Sequence, residues 1–250
     1  MEEIVTVIYL PPGFLPAERA RELLRLVCDD FQWLTPARYG ATIAEEAITW
    51  SGEAADRLAD FYAARQRLVV EGQPSGSALL LRPDRKGQHT TLGELTWLAP
   101  AAAAADPGWR AAHVRQVLAV MQRVQSPLAV SSLAAALDSK MYREVPDVVG
   151  TRSEPTVRGY GDGLAGLFWR NYFGPPYAAM LAPHLGQLPS EVARQLDDHH
   201  WLVEPYPLPA GATTAEGRAR EQELIRRIGP EFFYDFDAHQ PPSRTPFSAS

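Results

Sequence analysis

The spacing of hydrophobic positions changes repeatedly along the chain, and each change marks an element. Residues 4–10 string β-branched and aromatic side chains together and predict a strand, stopped by Pro11, Pro12 and Gly13. From Pro16 onward Ala20, Leu23, Leu24, Val27 and Phe31 recur at helical spacing, with Glu18 near the positive end of the helix dipole. Residues 37–50 read as one or two short strands. Ser51 then caps a helix that sets Leu58, Phe61, Tyr62, Leu68 and Val69 along one side. Residues 77–81 and 92–98 predict a hairpin around the polar loop "RPDRKGQHT", residues 82–90, whose basic side chains face water.

The low-complexity stretch "APAAAAADP", residues 99–107, reads as a spacer, and Asp106 with Pro107 opens a helix over 108–125. Its stripe is Val114, Val117, Leu118, Met121 and Val124. Residues 128–133 predict a strand, 134–149 are mixed, and "DVVGTRSEPTVRGYGDG" is loop-rich. An aromatic run, 167–173, enters a sheet, with Trp169 and Phe173 as core residues, and "GPPY" starts a helix, since proline suits a first helical turn. A short helix over 190–198, a strand near 201–204 and a charged helix over 214–228 follow. On the last, Glu216 with Arg220 and Glu223 with Arg227 pair on an exposed face. Strands mixed with helices and a hairpin predict an α+β fold: mainly antiparallel sheet or sheets with helices packed on the faces. The expected organisation is a single compact domain over 1–237, with 99–107 the place for a division into two lobes, and a flexible Pro/Ser-rich tail over 238–250.

Composition changes this picture little, but charge narrows the partners. The 250 residues suffice for a sizeable core, and the single cysteine, Cys28, lies on an apolar helix face, where it packs and forms no internal disulfide. Met1 is followed by Glu2 and Glu3, unlike a signal peptide, and no apolar run reaches the ~18 residues of a membrane span, so a cytoplasmic protein without membrane contact is expected. A net charge of −6 disfavours nucleic acid and favours basic partners.

Motifs that carry chemistry fail on their context. Gly161, Gly163 and Gly166 match a dinucleotide fingerprint, yet no buried strand precedes them and no long helix follows, so they serve a turn. "DDHH", Asp197 to His200, holds metal-ligand chemistry, with Asp197 and His200 on one face of the expected helix end. No His-x-x-x-His or His-x-Glu pair supports it, and no Gly-x-Ser-x-Gly elbow occurs. The expectation is therefore no catalytic residue, no cofactor and no metal, with a metal-dependent hydrolase using Asp197 and His200 as an alternative.

The segments "LFWRNYFGPPYAAML", "WLVEPY" and "IRRIGPEFFYD" resemble the C-terminal half of bacterial polymorphic-toxin immunity proteins, of the immunity protein 52 type. Such families show an aromatic strand ending in Asn-Tyr-x-Gly-Pro and a helix leading to Leu-Gly-Pro-x-x-Phe, where Ile228 here replaces the leucine. The resemblance implies a non-catalytic cytoplasmic protein that neutralises a cognate toxin, in the setting of type VI secretion. An acidic surface suits a basic, nuclease-like toxin, and Asp197, Asp198, Asp235 and Asp237 are the candidate partner-binding residues. An accessory or scaffold protein of a secretion system is a further alternative.

Overall fold

A computed structural model of the chain describes residues 2–11, 15–82, 93–147, 150–157 and 159–247. The polar loop expected over 82–90 lies outside them beyond Arg82, as does Leu92 of the following strand. The fold is α+β, built of antiparallel strand pairs and helices, in two compact units, Met1–Ser126 and Pro127–Ser250. The spacer at 99–107 lies inside the first unit.

The first unit runs β1 (Glu3–Tyr9), α1 (Ala17–Arg25) with a π-helical continuation (Leu26–Asp30), β2 (Thr35–Gly40), β3 (Glu46–Ala47) and α2 (Gly52–Arg65). It continues through β4 (Leu68–Gln73), β5 (Ser77–Arg82), β6 (Glu94–Pro100) and a 3-10 turn to α3 (Pro107–Val124). Strand order is β1-β6-β5-β4-β2-β3, every pair antiparallel. Ser51 caps α2 by accepting the Ala54 N–H at 3.2 Å, as its place in the sequence predicts. The helix ends where Gln66 turns left-handed at φ 54°, so Leu68 and Val69 leave the expected helical stripe and become the start of β4. Asp106 accepts the Gly108 N–H at 2.8 Å and starts α3. Its buried face is His113, Val117, Val120, Met121 and Val124, while Val114 and Leu118 are only half-buried. The stripe is thus rotated toward His113, whose Nε2 lies 3.0 Å from the Thr6 hydroxyl and whose ring stacks 5.2 Å from Trp97. Trp97 in turn stacks on Trp33 at 4.2 Å.

The second unit contains β7 (Leu128–Leu133), α4 (Ala134–Met141), β8 (Tyr142–Asp147), β9 (Gly150–Pro155), β10 (Arg170–Phe173) and α5 (Pro175–Leu185). After these come β11 (Ala193–Asp197), β12 (His200–Val203) and α6 (Ala215–Ile228), with short 3-10 turns between. Strands order β7-β10-β12-β11, and β8 pairs with β9 alone. Every residue of β7 and β10 is buried, so both faces of these strands are covered, and Trp169 and Phe173 are core as expected.

Three expectations fail here for local reasons. Residues 190–198 form no helix: Ala193–Asp197 pairs with His200–Val203, and the Asp197 carboxylate accepts the His199 N–H at 2.7 Å to close the turn between them. The loop-rich stretch contains β9, paired with β8 from Tyr142↔Pro155 to Asp147↔Gly150; its polar, exposed residues carry no apolar alternation to announce it. On α6, Glu223 pairs with Arg226 at 2.6 Å, while Arg227 donates to the Gln187 carbonyl. Residues 238–247 are tied back to their unit, with the Arg244 N–H donating to the Glu231 carbonyl and Phe247 packing 5.2 Å from Tyr160.

Capping and burial on α6 set its energetics. Thr214 accepts the Gly217 N–H at 2.9 Å and Leu224 is buried. Thr214→Ala should cost about 1 kcal/mol and Leu224→Ala about 2–5 kcal/mol, read from denaturant midpoints. Burial also holds the hydroxyls of Tyr62, Tyr172, Tyr177 and Tyr206 above their usual range, Tyr62 at about 12. A tyrosine so held contributes stability that is complete below the unfolded value of about 10 and lost as pH climbs from there. Lys140, lowered by burial, acts in the opposite sense, but as one group against four. Stability should therefore fall above pH ~10, with these phenols ionising, by absorbance at 295 nm, only as the chain unfolds. Free titration of all nine tyrosines in the folded chain would contradict this.

Candidate functional site

The sequence candidates fall at two places in the second unit. Asp197 and His200 do come together, with Asp197 oxygens 2.9 and 3.0 Å from His200 Nδ1, but they do so across the β11–β12 turn instead of on a helix end. His200 is buried, and Asp197 also holds the His199 N–H, so the carboxylate acts as the clasp of its own hairpin. Asp198 is exposed at the turn. Among the described residues no group of three or more His, Cys, Asp or Glu is placed to hold a metal ion.

The glycine-rich segment serves packing. Gly163 sits at φ 104°, and a Cβ there would meet Pro242 at 2.5 Å; the next residue, Leu164, bridges in parallel to Phe233. The chain then passes into β10, so no helix follows the glycines directly. Cys28 is buried, and burial together with nearby Asp29 pushes its thiol up to about 12, far from a reactive thiolate.

A more informative arrangement surrounds Asp235 and Asp237. One Asp235 oxygen accepts the N–H groups of Asp237 and Ala238, both at 2.9 Å, and its backbone exchanges hydrogen bonds with Gln240 at 2.9 and 3.1 Å. This tight turn presents Phe236, 41% exposed, between two exposed acids. The Phe236 ring leans edge-on against Tyr234 at 4.9 Å. The Tyr234 hydroxyl accepts from Arg143 of β8 at 3.0 Å, and Arg143 also bonds Glu154 of β9 at 3.1 Å, with Arg152 on the same carboxylate. Arg143 therefore joins the turn to one face of the β8–β9 hairpin. Tyr142, 50% exposed, and Glu144, exposed and without an ion pair among the described residues, alternate with Arg143 along β8 and so lie on the hairpin's other face. Arg143 and Arg152 share Glu154 on the hairpin face toward the turn, and at the turn itself Asp237 makes no ion pair among the described residues, so Phe236 stands between two acids there.

Beneath it lies a buried charge network. Lys140, at the end of α4, bonds Glu221 of α6 at 2.6 Å and the Leu167 carbonyl, and stands over the Phe168 ring. Tyr206 donates to the other Glu221 oxygen at 2.7 Å. Burial lowers the Lys140 pKa, which Glu221 partly offsets, and burial with Glu221 raises that of Tyr206. Every member is engaged by another, which is the chemistry of a brace. Sequence reading placed Asp235 and Asp237 but missed Phe236, Tyr142 and the Arg143–Glu154 link. The string "YDFD", residues 234–237, was the available signal, an aromatic alternating with acids next to a chain end.

No family model matches the chain, and no curated relative matches it. Among solved structures, the Pseudomonas aeruginosa T6SS protein PA0821 is similar over 94% of this chain and 74% of that one, with a TM-score of 0.59 at 12% identity. That likeness is one of fold.

Proposed function

We propose that this protein is an immunity protein associated with type VI secretion, which binds a cognate toxin in the cytoplasm and blocks it without catalysis. The observation that carries the reading is the Asp235–Asp237 turn, which holds Phe236 exposed between two acids and is fixed to the β8–β9 hairpin through Tyr234 and Arg143. Exposed rings held rigidly among charges are the usual anchors of a protein interface, because they bury large area at small entropic cost. The acids on either side of Phe236 raise the encounter rate with a basic protein such as a nuclease. The fold likeness to a T6SS protein supports the same setting, and so does the sequence resemblance to polymorphic-toxin immunity proteins.

The same likeness also suits an accessory component of the secretion apparatus, which would bind apparatus proteins instead of an effector. A metal-dependent hydrolase at Asp197 and His200 has the weakest support, since those side chains already bond each other.

Co-expression of the tagged chain with toxin domains encoded beside its gene tests the proposal. Capture of one of them, with loss of its toxicity, is the expected result; capture of apparatus proteins alone would favour the accessory reading. Phe236→Ala should weaken the complex by about tenfold or more, at an unchanged melting temperature, and Asp237→Asn should flatten the salt dependence of association. An unaltered complex in both variants would remove the turn from the interface. Asp235→Ala should increase hydrogen exchange at the Asp237 and Ala238 amides while leaving the core amides protected.

A further inference from the structure

In the first unit the β2–β3 hairpin and the C-terminal half of α2 border an open cavity of about 310 Å³, at the small end of ligand sites. Its hairpin wall is fixed by the chain itself. A Cβ on Gly40 would lie 1.9 Å from the Ile43 carbonyl oxygen, so only glycine lets the 41–45 loop close down at this point. Arg38 donates to the carbonyls of Ala44 at 2.8 Å and Glu45 at 3.0 Å, and the Glu45 N–H returns to Ile43. The cavity is thus preformed and does not depend on a ligand to shape it.

Apolar and charged groups are divided within it. Tyr39 and Phe61 meet edge to face at 5.1 Å, and Ile43 stands 65% exposed at the lining. The hairpin contributes two carboxylates. Glu46 spends one oxygen, Oε2, on both the Tyr39 hydroxyl and Arg57, while among the described residues its Oε1 and the Glu45 carboxylate have no partner. From α2 comes Arg65, whose guanidinium makes no hydrogen bond or ion pair among the described residues. Opposite charges therefore line one cavity from two walls without pairing with each other.

We propose that this cavity binds a small zwitterion of the α-amino acid type. Its ammonium would sit on Glu45 and the free oxygen of Glu46, its carboxylate on Arg65, and its apolar side chain against Phe61 and Ile43, with Tyr39 buried behind them. Such a ligand gives Glu45 and Arg65 each its opposite, whereas a lone cation would face Arg65 and Arg57 and a lone anion would face two carboxylates. This site goes beyond the toxin-binding reading and does not rest on it.

The test titrates the isotope-labelled full chain with L-leucine, L-leucinamide, which keeps only the cation, and N-acetyl-L-leucine, which keeps only the anion. Leucine is expected to give saturable amide shifts confined to residues 39–46 and 61–65, with both analogues at least about tenfold weaker, the loss of one charge-assisted pair. Glu45→Gln and Arg65→Gln should each weaken leucine by about the same factor at an unchanged melting temperature. The proposal is overturned by an absence of saturable shifts, by shifts elsewhere, by variants that bind as the parent does, or by leucinamide binding as tightly as leucine. That last outcome would assign the cavity to a basic side chain of a protein partner. None of these measurements involves a toxin, so their failure leaves the toxin-binding reading standing, and the reverse holds too.

Discussion

The ion pair between Lys140 and Glu221, completed by Tyr206, is the constraint on which the second unit's candidate surface depends. Both charges are almost withdrawn from water, which costs several kcal/mol per ion unless each is fully engaged. Here the ammonium holds a carboxylate and a backbone carbonyl, and the carboxylate holds the ammonium and a phenol. Deleting one partner alone would strand a buried charge, a loss of about 3–5 kcal/mol. The location matters more than the energy. Lys140 is two residues before Tyr142, where the β8–β9 hairpin leaves α4, and Glu221 lies on the helix that leads into the 230–240 segment. The pair therefore sets the two roots from which the hairpin and the Phe236 turn grow.

From those roots, weaker links finish the surface. An isolated two-stranded hairpin is marginal in water, so β8–β9 needs an anchor beyond its own ladder. Arg143 supplies one by bonding Tyr234, and Tyr234 in turn steadies Phe236. A ring fixed before binding loses little freedom on binding, which is where rigid aromatic anchors gain their advantage. The acids beside it are solvated and individually worth little to stability, so their effect belongs to encounter and not to folding.

The first unit keeps its own cavity by a different device, a close backbone approach at Gly40. Nothing in the composition of residues 37–50 announced this. The apolar alternation there is broken, since β2 reads exposed, buried, exposed, exposed, buried, buried, and its partner β3 is two residues long.

By itself the sequence determined the elements whose signals are local. The caps at Ser51, Asp106 and Thr214, the proline start of α5, and the apolar runs of β1, β5, β7 and β10 all depend on neighbours within a few residues. The α+β class followed from their order. Tertiary structure alone decided the rest, because the deciding contacts join distant residues. Whether "DDHH" ended a helix or turned a hairpin depended on β11 finding β12 beside β10, and polar residues 150–155 became a strand only by pairing with β8. Asp235 and Asp237 were legible as acids, but their role as the frame of an exposed Phe236 required Tyr234 to meet Arg143, 91 residues earlier in the chain. Period and capping are written along the chain; charge burial and contact across such separations are not, since they depend on which surfaces water is excluded from once the chain has folded.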